Sequence, residues 1–315
     1  MTGSGPKSHS GRSVTSANRQ LNKDSFNCVY FNARSLRHKM MDLLAIVEVM
    51  QPDVIGVTES WGDREILDGE FNLPGFTMFR RDRASGHRGG GVLLYIRCEF
   101  NPIEVRLSSQ FAEQVWCSVH VKNGQDLLIG VCYRSSNVAI TGPNNDQMLF
   151  DTLAEVYKRP LLLIGDFNYP DIDWSISYRG SVNSQRFVDC VDEGFLMQNA
   201  FDGTCNGTIL DLVVTNEPEM IDCVTVLDTF SSSDHNLLQW EVKLSPAASV
   251  FNCTRLDYSR ADFDGICEAL SGVDWQSILR GDVNDQWDIF LGILKGLESQ
   301  SVPQRNLNKR RHKVP

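Results

Sequence analysis

The chain of 315 residues is 42% hydrophobic and carries a net charge of −10, which is enough apolar content for a large core and excludes a wholly disordered protein. No run of about eighteen uninterrupted apolar residues occurs, which excludes a membrane-spanning helix. Residues 1–23 lack the apolar stretch of a secretion signal, so the expected location is intracellular, nuclear or cytoplasmic.

The charge is unevenly distributed. Residues 26–250 hold 17 basic and 30 acidic groups, whereas residues 301–315 are net +5. An acidic body argues against tight nucleic-acid binding, which depends on neutralising phosphates, and predicts weak contact with any DNA partner through its backbone. Nine scattered cysteines with no Cys-x-x-Cys pair suit a reducing compartment and argue against a disulfide framework or a zinc site.

Taken in chain order, residues 1–24 read as a flexible lead. Residues 26–31 form a buried strand, and residues 37–50 a helix presenting Met40, Leu43, Leu44, Val47 and Met50 before Pro52. Strands follow at 53–58, 75–80, 91–97, 115–121 and 127–133, with hairpin-like separations. A helix at 146–157, the run 161–164, a helix at 185–193, and strands near 209–215, 223–227 and 237–244 complete a body of residues 25–245. Helical crossovers mixed with hairpins predict mixed sheets covered by helices. Residues 246–249 read as a linker to a helical zone, residues 246–315, with helices at 260–270, 275–279 and 285–300. The last helix carries Trp287, Phe290, Leu291, Leu294 and Leu297 on one face, and the zone ends in Arg305, Lys309, Arg310, Arg311 and Lys313. That basic run suits a solvated tail, a nuclear-import signal or a nucleic-acid arm.

Polar residues recur where apolar strands end: Asn32, Glu59, Tyr133, Asp166, Asn168, Asp211, Asp234 and His235. A carboxylate at the mouth of a buried strand costs desolvation energy unless a cation, a hydrogen bond or a substrate compensates it. Together these residues offer hard oxygen ligands, one histidine with carboxylate partners, a phenol and two amides, an inventory for metal-assisted phosphodiester hydrolysis. Glu59 suits a metal ligand, although a buried structural glutamate is the alternative. Asp166 and Asn168, two apart after Gly165, fall on one face of an extended tip. Asp166 can polarise water or protonate a leaving oxygen, and Asn168 can hold a phosphate oxygen. Asp211 is the candidate partner that fixes the His235 tautomer. Tyr133 suits core packing or a phenol aimed at phosphate. Arg80, Arg81, Arg83 and Arg88 precede Gly89-Gly90-Gly91, either as a solvated loop or as phosphate contacts; no Gly-Lys-Ser/Thr follows, so the glycines are not a P-loop.

The ordered phrases Phe-Asn-Ala-Arg-Ser-Leu, Asp-Val-Ile-Gly-Val-Thr-Glu-Ser-Trp, Gly-Val-Cys-Tyr-Arg, Gly-Asp-Phe-Asn-Tyr-Pro-Asp, Ile-Leu-Asp-Leu-Val-Val and Ser-Ser-Asp-His-Asn resemble the endonuclease/exonuclease/phosphatase superfamily. Within it they resemble the apurinic-type endonuclease domain of non-LTR (LINE-like) retrotransposons of the jockey and chicken-repeat kind, over about residues 27–242. The resemblance implies a four-layered α/β sandwich, two mixed sheets flanked by helices, with a helical C-terminal extension and the site at one end of the facing sheets. It implies Mg²⁺- or Mn²⁺-dependent nicking of DNA that leaves 3′-hydroxyl and 5′-phosphate ends. By match, Glu59 is the principal metal ligand, with Asn32 and Asp234 near metal or phosphate. Asp211 orients His235, Asp166 and Asn168 handle water, leaving group and phosphate, and Tyr133 contacts the phosphate. Arg80, Arg81, Arg83 and Arg134 are the expected substrate contacts.

Two departures stand out. Ser135-Ser136 replace the prolines that relatives place after Tyr-Arg, and no Tyr-x-Asp-Asp motif occurs, so an endonuclease segment without its polymerase is expected. A small-molecule phosphatase of the same superfamily and a catalytically silent retroelement remnant are the competing readings.

Overall fold

The computed structural model describes residues 25–84, 87–122, 124–174, 178–244, 254–256 and 260–306. The expected lead, the linker at 246–249 and most of the basic tail lie outside them. The chain divides into two compact units, Met1–Ala248 and Ser249–Pro315.

In the first unit the elements run β1 (Phe26–Asn32), α1 (Met40–Met50), β2 (Val54–Thr58), β3 (Phe76–Arg81), β4 (Val92–Arg97), β5 (Ile103–Glu104), β6 (Gln114–His120) and β7 (Asp126–Tyr133). They continue through α2 (Val138–Thr141), α3 (Asn145–Val156), β8 (Leu161–Asp166), β9 (Ile172–Asp173), β10 (Tyr178–Arg179), α4 (Val182–Glu193), β11 (Met197–Gln198), β12 (Asp211–Thr215), β13 (Thr225–Thr229) and β14 (Asn236–Val242). Two six-stranded sheets result, ordered β13-β14-β1-β2-β4-β3 and β11-β12-β8-β7-β6-β5. Each has one parallel pair at its centre, β1 with β2 and β7 with β8, flanked by antiparallel neighbours.

Strands buried on both faces explain why the central segments read as near-continuous apolar runs rather than alternating ones. Tyr30, Leu94, Val131, Ile164 and Leu238 belong to one cluster drawn from both sheets, so the sheets pack face to face. On the outer face of the first sheet, Leu43 of α1 joins Val29, Phe31, Ile55 and Leu93. Outside the second, Leu149 and Leu153 of α3 and Phe187 and Val191 of α4 join Leu163 and Val214. Helix, sheet, sheet, helices is the four-layered sandwich expected, and full burial of side chains in all three clusters supplies its main stabilisation.

Element limits shift for identifiable reasons. Helix α1 starts at Met40, not residue 37, because the preceding segment is tied to the chain after β2: the amides of Ala33, Ser35 and Leu36 donate to the carbonyls of Thr58, Glu59 and Ser60. Arg34 and Ser35 take left-handed backbone angles there (φ 40° and 77°), which postpones the helix. Leu44, expected on the packed face, is exposed, whereas Met40, Val47 and Met50 pack against the core. Strand β12 begins at Asp211 because the amides of Leu210 and Asp211 both donate to Thr204 Oγ1. After Arg134, where prolines are missing, Asn137 caps the short α2 by accepting from the Ala139 amide.

The second unit contains α5 (Phe263–Ser271), α6 (Trp275–Ile278) and α7 (Val283–Ser301), with Thr254–Leu256 paired antiparallel to Gln304–Asn306. Phe290 meets both Trp275 and Trp287, with ring centroids 5.7 and 5.5 Å apart. Among the described residues no helix is long and apolar enough to cross a membrane.

Candidate active site

The topology gathers the strand-end residues. Asn32 closes β1 and Glu59 follows β2, which runs parallel to it; Tyr133 and Asp166 close the parallel β7 and β8 and stand opposite one another. Asp211 opens β12, antiparallel to β8, directly across from Asp166. His235 precedes β14, which is antiparallel to β1. Every one of these residues therefore lies at the same end of the sandwich.

Asp211 is fully buried and both its oxygens are engaged. Oδ2 lies 2.7 Å from His235 Nδ1, and Oδ1 accepts from the Tyr30 hydroxyl at 2.7 Å. The Tyr30 oxygen also lies 2.7 Å from Thr58 Oγ1. This leaves Nε2 as the free nitrogen of His235, 4.0 Å from Asp166 Oδ2. Asp166 Oδ2 accepts from the Asn32 amide at 3.0 Å, whereas Asp166 Oδ1 is buried with no hydrogen-bond partner. Burial pushes the His235 imidazole down, but the Asp211 hydrogen bond and charge, helped by Asp166 and Asp234, outweigh it and raise its pKa to about 9. Burial, then the facing Asp211, lifts the Asp166 carboxyl well above the usual carboxylate range, against the pull of His235.

Glu59 is held on both sides: Oε1 accepts from the Tyr133 hydroxyl and Oε2 from Trp61 Nε1, each at 2.8 Å. Burial and then the Glu59 and Asp166 charges keep the Tyr133 phenol protonated far above neutral pH, so it acts as a hydrogen-bond donor. Glu59 and Trp61 are both left-handed (φ 49° and 54°), an uncommon conformation for such residues that marks a tightly determined loop. The triple glycine explains how it is held. The Trp61 amide donates to the Gly90 carbonyl and the Ser60 amide to the Gly91 carbonyl. A Cβ on Gly90 would strike Glu113 and Arg83.

Asn168, with φ 53°, sits just beyond Asp166. Arg134 fixes this turn: its guanidinium donates to the Asn168 carbonyl at 2.8 Å, pairs with Asp146 and covers the Tyr169 ring. Gly165 is required at the tip because a Cβ there would run into the Cys132 carbonyl oxygen of β7.

The structure brings Asn32, Glu59, Tyr133, Asp166, Asp211 and His235 to one end of the sandwich as three hydrogen-bonded pairs, Asn32–Asp166, Glu59–Tyr133 and Asp211–His235, with Asn168 just beyond Asp166 in the chain. Asp234 stands outside it, partly exposed and paired with Arg34. Of the four candidate substrate arginines, Arg80 pairs with Asp82 and Asp68, Arg83 with Glu113, and Arg134 with Asp146. Arg81 is exposed. Three residues that complete the site escape a reading of strand ends: Tyr30, Trp61 and Glu113. Tyr30 could have been found as the residue two before Asn32, on the same face of β1, and Trp61 by its place two after Glu59. Glu113 carries no local signal.

The donor set fits a divalent cation. An unpartnered buried carboxylate oxygen, Asp166 Oδ1, sits beside a second buried carboxylate, and oxygen donors are what a hard cation takes. Potential ligand atoms of Asp166, Asp211 and His235 lie within 4.8 Å of one another. Because both Asp211 oxygens and His235 Nδ1 are already spoken for, Asp166 is the member of that trio with an oxygen to spare.

The imidazole state is testable. In Asp211→Asn, which removes the charge and turns one of the two acceptor oxygens into a donor, His235 is expected to titrate at or below about 6.5 by NMR instead of near 9. In the parent chain, stability supplied by the protonated imidazole is fully present below about pH 6.5 and lost as pH rises through about 9, and ionising Asp166 acts in the same sense. Urea unfolding without metal should lose up to about 3 kcal/mol across that window.

Residues 29–235 match the family model described as Endonuclease/Exonuclease/phosphatase family, and the chain belongs to that family. Solved structures with the same fold include the AP endonuclease LMAP from Leishmania major, 13% identical over 69% of this chain and 87% of that one, with a TM-score of 0.54. The endonuclease domain of TRAS1, a telomere-specific non-LTR retrotransposon, is 13% identical over 70% of this chain and 99% of that one, with a TM-score of 0.53. The Xenopus laevis APE2 catalytic domain is 13% identical over 71% of this chain and 94% of that one, with a TM-score of 0.55. No curated protein matches the chain in sequence.

Proposed function

We propose that the chain is a divalent-metal-dependent phosphodiester hydrolase that nicks one DNA strand, of non-LTR retrotransposon origin. The observation that carries this reading is the unpartnered Asp166 Oδ1 beside the Asp211–His235 pair, inside a constellation of oxygen donors. Glu59 and Asn32 would hold Mg²⁺ or Mn²⁺, and Asp234 would join them by exchanging Arg34 for the cation. When bound, such a cation polarises the phosphoryl group and offsets its charge.

The chain's own residues supply the rest. Asp166 Oδ1, an acceptor with no other partner, takes the proton of the attacking water. As the water oxygen bonds to phosphorus the P–O3′ bond breaks, and His235, held by Asp211 and protonated at neutral pH, gives its Nε2 proton to the leaving 3′-oxygen. The Tyr133 hydroxyl and the Asn168 amide steady the phosphate, and Arg134 keeps Asn168 in its turn. The fold of the TRAS1 domain and the ordered phrases of the sequence support the retroelement origin. DNA is engaged through its phosphates and weakly, because the body is acidic.

The product ends test the nicking chemistry. Plasmid nicked by the chain should prime a DNA polymerase directly, which requires a 3′-hydroxyl. If extension occurs only after phosphatase treatment, the strand is cut on the other side of the phosphate and the reading fails.

A further inference from the structure

Beside the site, lined by Trp61, lies a cavity of about 450 Å³. Arg37, His38, Trp61, Arg83, His87 and Arg88 line it. Asp63 is the one acidic lining residue among the described residues, and its Oδ1 already accepts from the amides of Glu65 and Ile66. In a body with 30 acidic groups, three arginines and two histidines around one indole are a local reversal of charge.

Two features show what this cavity can hold. Arg88 is exposed and lies over the Trp61 ring, 4.7 Å from its centroid, so a guanidinium plane is displayed on an aromatic floor. Arg83, with a side chain 7% exposed, is anchored to Glu113 through Nε, but its buried Nη2 has no acceptor. A stacking platform together with an unmatched guanidinium donor suits a group that is flat at one end and anionic at the other. The volume suits one nucleotide.

We propose that this cavity binds a single unpaired nucleotide of the DNA strand adjoining the one under attack, its base on the Arg88–Trp61 stack and its phosphate on Arg83 and Arg37. This rests on the nuclease reading above and deepens it. Trp61 Nε1 donates to Glu59 at 2.8 Å, and Glu59 in turn accepts from Tyr133. Trp61, which lines the cavity, is therefore hydrogen-bonded directly to the site. A base inside a duplex cannot reach such a platform, so a flipped or bulged nucleotide is required.

The test is binding by fluorescence anisotropy, using the full chain carrying Asp166→Asn in Mg²⁺ so that the DNA stays intact. A duplex with one unpaired thymidine is expected to bind about tenfold tighter than the same duplex fully paired. Adding Arg88→Ala, an exposed position, should bring the two affinities within about twofold while the paired duplex still binds. Equal affinities without Arg88→Ala would overturn the inference and leave the nuclease reading intact. So would Arg88→Ala weakening both duplexes in the same proportion, which marks a plain phosphate contact. Failure of either duplex to bind, with no nicking by the parent chain, would remove the nuclease reading and the inference together.

Discussion

Asp166→Asn is expected to reduce nicking by about 10³-fold while leaving the fold as stable as the parent or more so. The parent carboxylate is 1% exposed, faces Asp211 across the β8–β12 pair and has one oxygen without a donor. Ionising it in that place is unfavourable, as its raised pKa shows. An asparagine keeps the shape and the oxygen that accepts from Asn32, and removes one of two adjacent charges. The metal-free variant should gain about 1–3 kcal/mol in urea unfolding. Such opposed effects on activity and stability mark a residue retained for chemistry. A variant that loses stability and activity together would instead place Asp166 in the scaffold.

Asp211→Ala, its partner in register, is expected to behave in the opposite way. Asp211 is fully buried, and its oxygens hold the Tyr30 hydroxyl and His235 Nδ1. Alanine leaves His235 Nδ1 without an acceptor and the Tyr30 hydroxyl with Thr58 Oγ1 alone, at about 3–5 kcal/mol in thermal or chemical unfolding. Nicking should fall about 10³- to 10⁴-fold, because the imidazole loses both its orientation and the charge that keeps it protonated. Stability close to that of the parent would mean that His235 and Tyr30 find other partners, and the orienting role assigned to Asp211 would be wrong. Two carboxylates face one another across two strands, yet one strains the fold and the other anchors it. The difference lies in their hydrogen bonds.

Much of this was legible in the amino-acid order because the site residues stand at the ends of apolar runs, Asn32 and Asp166 closing theirs and Asp211 and His235 opening theirs. The run before Asn32 and the run before Asp166 are strands buried on both faces, and a polar residue at the end of such a run must face either solvent or a partner. The runs also located both sheets and the helices α3 and α4. Pairing register was not legible. Nothing local in the Asp211 segment says that it lies antiparallel to β8 with Asp211 opposite Asp166, and that register creates the buried pair. Tyr30 reads as one more core aromatic, because its hydroxyl partner is 181 residues away. The arginines before the triple glycine read as a solvated loop or as phosphate contacts. The partner of Arg83, Glu113, is thirty residues away and appears only once the sheets close. The start of α1 was misplaced for the same reason, since the amides that delay it bond to the chain following β2.

The most direct measurement is conversion of supercoiled plasmid to nicked circle by the purified chain in Mg²⁺, in Mn²⁺ and in EDTA, beside Asp166→Ala and His235→Ala. The site described here predicts nicking with either metal, none in EDTA, and loss of nicking in both variants. A folded, metal-loaded chain that leaves the plasmid supercoiled, or nicking that survives both substitutions, would contradict it.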